Sequence, residues 1–178
     1  MKARLYLASH FFNDAMFQWT EELAQYLEAK LPIDLYVPQR NDSINDKENC
    51  DAEVTDISIS KADTAELRRA QILLACLDGL SIDDGVAGEV MAFGLIHELE
   101  VDFAEQLGDA TTPRLIIGLI TDMRWLGTGE NKLYRNQMIL GKVKEHGQLV
   151  VGYPGRKEAY REDIVKIIQS FLEENDFI

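Results

Sequence analysis

Residues 77–94 read LDGLSIDDGVAGEVMAFG, and one residue in that stretch is out of keeping with its neighbours. Glu89 is the only acidic residue between Asp84 and Glu98, and it sits among Val86, Ala87, Val90, Met91, Ala92 and Phe93. A segment this apolar reads as a helix buried on most sides. A carboxylate there carries a desolvation cost that a purely structural position rarely justifies. Asp83 stands six residues earlier, and Gly79, Gly85 and Gly88 leave room for a ligand close to the backbone. Two carboxylates converging where a strand hands over to a helix point to acid–base or nucleophilic chemistry. The plain alternatives are a Glu89 paired with Arg68, Arg69 or Arg124, and an Asp83 or Asp84 that caps the helix. The isolation of the charge favours chemistry at Glu89.

The elements that must position these groups follow from periodicity. Five apolar runs read as strands: residues 4–8, 33–37, 72–77, 115–120 and 149–151. Helical patterns alternate with them. Residues 14–30 place Met16, Trp19, Leu23 and Leu27 on one face behind a cap at Asn13 or Asp14. Residues 156–174 carry Ile164, Ile167, Ile168, Phe171 and Leu172 at helical spacing. Near-continuous apolar strands alternating with helices predict an α/β fold whose parallel sheet is covered on both faces. Five units favour a flavodoxin-like, doubly wound sheet of order 2-1-3-4-5, in one domain over 1–178. Ligands in that architecture bind beyond the carboxyl ends of strands 1 and 3. The segments there are Ser9-His10-Phe11-Phe12 and residues 78–88, so the unusual carboxylates fall at the predicted ligand site, with Phe11, His10 and Gly85 beside them. Residues 38–51 read as a polar loop, and residues 122–132 as a lid or interface loop with an exposed Trp125.

Composition narrows the function classes. The net charge of −13 opposes binding to nucleic acid or to an anionic membrane. No apolar run reaches membrane-spanning length, and MKARLYLASHFF lacks a signal peptide's separate charged and apolar regions, so the expectation is a cytoplasmic protein. Cys50 and Cys76 make no disulfide framework, and Cys76 reads as a small core residue. No Cys/His set has metal-ligand spacing, and Gly127-Thr128-Gly129 lacks the lysine and hydroxyl of a phosphate loop. No metal site is expected.

Several motifs in order resemble the nucleoside 2-deoxyribosyltransferase family. They are Tyr6-Leu7-Ala8 followed by aromatics, Asp63 eight residues before Gln71-Ile72-Leu73-Leu74, Leu77-Asp78-Gly79, the D-x-G-x-x-x-E of Asp83, Gly85 and Glu89, and Asn136-Gln137-Met138. The resemblance spans roughly residues 4–140 and is carried by the combination rather than by any single element. It implies an enzyme that moves a 2-deoxyribosyl group between nucleobases through a covalent sugar ester, without metal or organic cofactor. By resemblance, Glu89 is the nucleophile, Asp83 helps base and sugar bind and react, Asp63 handles protonation of the departing base, and Tyr6 holds the nucleophile. Asn136 and Met138 match residues that a neighbouring subunit inserts around the sugar's 5′ end. That implies a closed homo-oligomer built from dimers, up to a hexamer, acting on deoxynucleosides and free nucleobases. The chain departs from the family at Ser9-His10, where a small pair such as Gly-Pro is common, at Gln71 in place of Asp, and at Gly85-Val86 in place of Gly-Thr; these bear on base preference.

Read without the resemblance, Asp63 in KADTAELRRA is a solvated helix start, and Asn136 and Met138 carry no signal. Tyr6 is core on a central strand, although a buried hydroxyl wants a partner and Glu89 could be that partner. His10 could contact substrate or cap a helix, and His97 and His146 read as structural or solvated. Two other functions stay open. One is a hydrolase of deoxynucleosides or their 5′-monophosphates, using the same glutamate and water. The other is a non-catalytic flavodoxin-like sensor of a nucleotide or sugar. A monophosphate hydrolase needs hydroxyl side chains and backbone donors around the 5′ end, whereas Asn136 suits a free 5′-hydroxyl.

Overall fold

The computed structural model describes residues 2–45, 54–126 and 134–178. Its sheet contains β1 (Arg4–Ala8), β2 (Asp34–Tyr36), β3 (Ile72–Cys76), β4 (Leu115–Ile120) and β5 (Gly147–Val151). All neighbours pair in parallel, in the order β2-β1-β3-β4-β5. This is the flavodoxin-like arrangement that the alternation predicted. β5 begins two residues before the apolar run, at Gly147, because a strand can start on residues with no hydrophobic pattern. A Cβ at Gly147 would stand only 1.9 Å from the Ile116 carbonyl oxygen, so glycine is required by the closeness of β4.

The period of two along each strand divides the core into two layers. Leu5, Leu7, Ile72, Leu74, Ile117 and Leu119 face α1 (Asp14–Lys30) and α6 (Lys157–Glu174). Tyr6, Ala8, Leu73, Ala75, Ile116 and Ile120 face the opposite way. They meet α3 (Asp56–Arg69), α4 (Asp84–Leu107) and α5 (Gln137–Glu145). Asn13 caps α1, its side-chain oxygen accepting from the Met16 N–H at 3.1 Å. Gln71 is also explained: its Oε1 accepts from the Arg4 N–H at 2.8 Å, tying the start of β1 to the approach to β3.

Two expectations change. The stretch read as loop 38–51 carries a 3-10 turn at Pro38–Arg40 and a one-turn helix, α2 (Asp42–Asn45), before leaving the described residues. Trp125 is half-buried rather than exposed, because it packs on the α3–α5 layer within a 3-10 turn at Met123–Leu126. Gly127-Thr128-Gly129 and Cys50 lie outside the described residues.

Candidate active site

Tyr6 points into the α3–α5 layer because strand alternation sends it and Ala8 to that face. Directly above it runs α4, whose 24 residues start at an Asp83 cap. The Oδ1 of Asp83 accepts from the N–H groups of Gly85 and Val86 at 3.0 and 3.2 Å. A side chain at Gly85 would crowd that oxygen, at 3.2 Å from a Cβ. Asp83 is therefore the cap that the sequence left between two aspartates, and its second oxygen takes no part in the capping. Glu89 follows in the second turn of the helix. The Tyr6 hydroxyl donates to Glu89 Oε1 at 2.5 Å, joining a side chain of the central strand to the carboxylate inside the helix.

Asp63 completes the group. It lies in the second half of α3 rather than at a solvated helix start, half-buried and turned toward the sheet. A cavity of about 350 Å³ opens onto Glu89, Asp83, Asp63 and Gly85 on one side. Phe11, Phe12, Ile44 and Ile59 supply its apolar walls. It lies at the carboxyl ends of β1 and β3, the switch point of this topology.

The electrostatics follow from burial. Loss of solvent lifts the Glu89 carboxyl from 4.5 to about 7, opposed by the Tyr6 hydrogen bond and reinforced by the charges of Asp63 and Asp83. The helix N-terminus does not keep it acidic, because the dipole fades beyond the first turn while desolvation does not. Tyr6 is raised far above the ordinary phenol range, first by burial and then by Glu89. Burial likewise raises Asp63, against the hydrogen bond from the Tyr36 hydroxyl that favours its anion. No cation neutralises Glu89 among the described residues. Arg69 pairs with Glu66 and Arg124 with Asp122. A carboxyl titrating near neutrality, held by one phenol and open to a cavity, can act as nucleophile or as proton carrier.

The structure thus brings together Glu89, Tyr6, Asp63, Asp83, Gly85 and Phe11. It does not bring Asn136, Met138 or His10 to the cavity of the same chain. Asn136 caps α5, accepting from the Met138 and Ile139 N–H groups at 3.0 and 3.4 Å, and Met138 is 67% exposed. His10 is half-buried outside the cavity and caps nothing, since Asn13 does that work. Asp78, in the Leu77-Asp78-Gly79 motif, is a clasp. It accepts from the Thr121 N–H at 2.7 Å, the Thr121 hydroxyl and the Asp122 N–H at 2.9 Å, locking the end of β3 to that of β4. Among the described residues, one set of three side chains gathers possible metal-ligand atoms: Glu98, Glu145 and His146, far along α4 and α5 and already bridged by Lys142. Sequence reasoning passed over Tyr36, Asn41, Ile44 and Ile59. Tyr36 was findable, because parallel pairing of the first two strands sets it directly beside Tyr6.

A doubly wound sheet with a carboxylate-lined cavity at its switch point defines a class of α/β enzyme that handles small ligands. Within that class the chain belongs to the nucleoside 2-deoxyribosyltransferase family, whose sequence model matches residues 5–99, more than half of its length. No curated protein matches it in sequence. Among solved structures, a conserved protein from Enterococcus faecalis V583 is 27% identical with a TM-score of 0.70, covering 97% of this chain and 100% of its own. A 2-deoxyribosyltransferase from Bacillus psychrosaccharolyticus is 22% identical with a TM-score of 0.54, over 79% of this chain and 82% of its own. A CMP N-glycosidase from Clostridium botulinum is 14% identical with a TM-score of 0.53, over 90% and 96%. The last two likenesses are of fold.

Proposed function

We propose that this protein transfers a 2-deoxyribosyl group from one nucleobase to another through an ester to Glu89, with net retention at the anomeric carbon. A 2-deoxy sugar lacks an electron-withdrawing 2′-hydroxyl, so an oxocarbenium-like transition state is comparatively accessible. The ionised Glu89 attacks C1′ as the C–N bond breaks, and the electron pair leaves with the base, which takes a proton from Asp63. A second base then attacks the same carbon, returns a proton to Asp63 and releases Glu89. Tyr6 holds the attacking oxygen, and the free oxygen of Asp83 faces the bound nucleoside. The observation that carries this reading is the 2.5 Å bond between Tyr6 and Glu89, which no cation neutralises among the described residues, at the edge of the cavity. Apolar walls suit a planar base and limit water, which favours a base over water as acceptor.

The same reading takes the protein as a cytoplasmic homo-oligomer of nucleoside salvage, with Asn136 and Met138 of a neighbouring copy reaching the sugar's 5′ end. The test is chromatography of thymidine or deoxyinosine incubated with adenine, cytosine and hypoxanthine. New deoxynucleosides are expected only when an acceptor base is present. Equal release of free deoxyribose with and without acceptor replaces transfer with hydrolysis. A slow 2′-fluoro-2′-deoxy donor should leave its sugar on a peptide containing Glu89, and a label elsewhere removes Glu89 as nucleophile.

A further inference from the structure

Asp63 enters the cavity held by a residue outside the cavity wall. Tyr36 of β2 pairs in register with Tyr6 of β1, so both rings leave the sheet on one face, their centroids 5.1 Å apart. The Tyr36 hydroxyl meets two groups: Asn41 Nδ2 at 3.0 Å and Asp63 Oδ1 at 3.4 Å. The direction of these bonds is fixed by a third residue. Asn41 Oδ1 already accepts from the Ser43 N–H at 3.2 Å and the Ser43 hydroxyl at 2.6 Å. A backbone N–H can only donate, so the amide cannot be flipped, and Nδ2 must face the phenol. The phenol oxygen accepts there, which leaves its single proton for Asp63.

We propose that Tyr36, oriented by Asn41, is a positioning residue that aims the Asp63 carboxyl at the cavity and sets how readily it gives up and regains a proton. The proposal rests on the reading that Asp63 handles the proton of the departing and entering base. Such a group must release its proton in one half-reaction and recover it in the other, so neither a permanently neutral nor a permanently ionised acid serves. Burial and the neighbouring Glu66 on α3 favour the neutral form, and the charge of Asp63 in turn raises Glu89 on α4. Tyr36 from β2 favours the anion, whereas the single proton of Tyr6 goes to Glu89. Arg4 does not supply the missing positive charge directly, being paired with Asp34 and Glu66. Tyr36 is thus a donor that pulls Asp63 back toward a working range without occupying the cavity, and it keeps its own proton because burial pushes it up to about 12.

The test is Tyr36→Phe, which keeps the ring and its packing and removes only the hydroxyl. The limb of the pH–rate profile that Asp63 governs with a natural deoxynucleoside should move up by about one pH unit, the scale of one weak hydrogen bond to a carboxylate. With 4-nitrophenyl 2-deoxyriboside, whose leaving group needs no proton, the profiles of Tyr36→Phe and wild type should coincide. Site-specific 3-fluorotyrosine at position 36, a stronger donor, should move the natural-substrate limb the other way. A titration of the Asp63 carboxyl carbon by NMR, assigned through Asp63→Asn, reads the same coupling without turnover and should rise in Tyr36→Phe. Superimposable titrations in wild type and variant overturn the proposal, as does a loss equal for both donors at every pH. A shifted titration beside an unmoved rate profile upholds the coupling and refutes instead the role given to Asp63 in turnover.

Discussion

Removing one oxygen atom, in Tyr6→Phe, tests whether the contact beneath the cavity controls the charge on Glu89. The Tyr6 hydroxyl donates to Glu89 at 2.5 Å and favours the anion, while burial, reinforced by the charges of Asp63 and Asp83, drives the carboxyl upward. A hydrogen bond to a charged group contributes about 1.5–3 kcal/mol, and one pKa unit is about 1.4 kcal/mol, so its loss raises Glu89 by roughly one to two units. Starting from about 7, the group should then titrate between about 8 and 9. A nucleophile must be ionised, so activity rises with pH through this value, and the acid limb moves to the alkaline side. At about pH 7 the ionised share falls from about one half to between one in ten and one in a hundred, a rate loss of roughly 5- to 50-fold. The assay is single-turnover cleavage of 4-nitrophenyl 2-deoxyriboside across pH, which removes any need for an acid at the leaving group. Recovery toward the wild-type rate at high pH is expected. A loss of the same factor at all pH values refutes the reasoning, because Tyr6 would then act through geometry and not through charge.

The raised Glu89 carboxyl also predicts a pH-dependent stability change. A folded chain that keeps this proton longer than the unfolded chain is most stable below about pH 4.5, and it loses that advantage as pH rises toward 7. Glu89→Gln should melt several degrees above wild type at about pH 8, for a gain of up to about 3 kcal/mol, and no higher at about pH 4; equal gains at both would exclude ionisation as the cause. Asp78→Ala leaves the Thr121 and Asp122 N–H groups without their acceptor, and should cost about 2–4 kcal/mol in urea unfolding, whereas a loss below about 0.5 kcal/mol would mean the clasp is dispensable. For a site shared between subunits, Glu89→Ala and Asn136→Ala proteins should each be nearly inactive and should regain activity on co-assembly. Mixed oligomers that form without recovering activity would show that each chain builds its own site.

The sheet order and one layer of the cavity were legible because they rest on regular patterns. Parallel strands buried on both faces must be apolar, and β3, β4 and the part of β1 after Arg4 are. Glu89 stood out because an isolated charge in an apolar helix has no cheap explanation. Asp63 was opaque without family resemblance, since a carboxylate in a polar helix looks alike whether it faces water or a cavity. The turn at Pro38–Arg40 and the short α2 carry Asn41 and Ile44 to the site, yet segments so short have no periodicity to read. Which of Asp83 and Asp84 caps α4 is a matter of one dihedral step, below the resolution of any pattern. The surroundings of Asn136 and Met138 concern other copies of the chain, and a single sequence says nothing about them outside resemblance.

The sheet also works as a partition between two kinds of selection. Every carboxylate of the cavity stands on the α3–α4 side, while α1 and α6 seal the other face with an apolar layer of their own. One polar thread crosses near the rim, where the buried hydroxyls of Ser9 and Thr20 meet at 2.8 Å. Away from that pair, random substitution in the α1–α6 layer should alter thermal resistance and leave substrate preference unchanged. Substitution on the opposite side should trade one against the other, because Tyr6 belongs at once to the packing and to the chemistry. Laboratory evolution of new base preferences would therefore gain most by first reinforcing the remote layer and spending that reserve on the walls made by Phe11, Ile44 and Ile59.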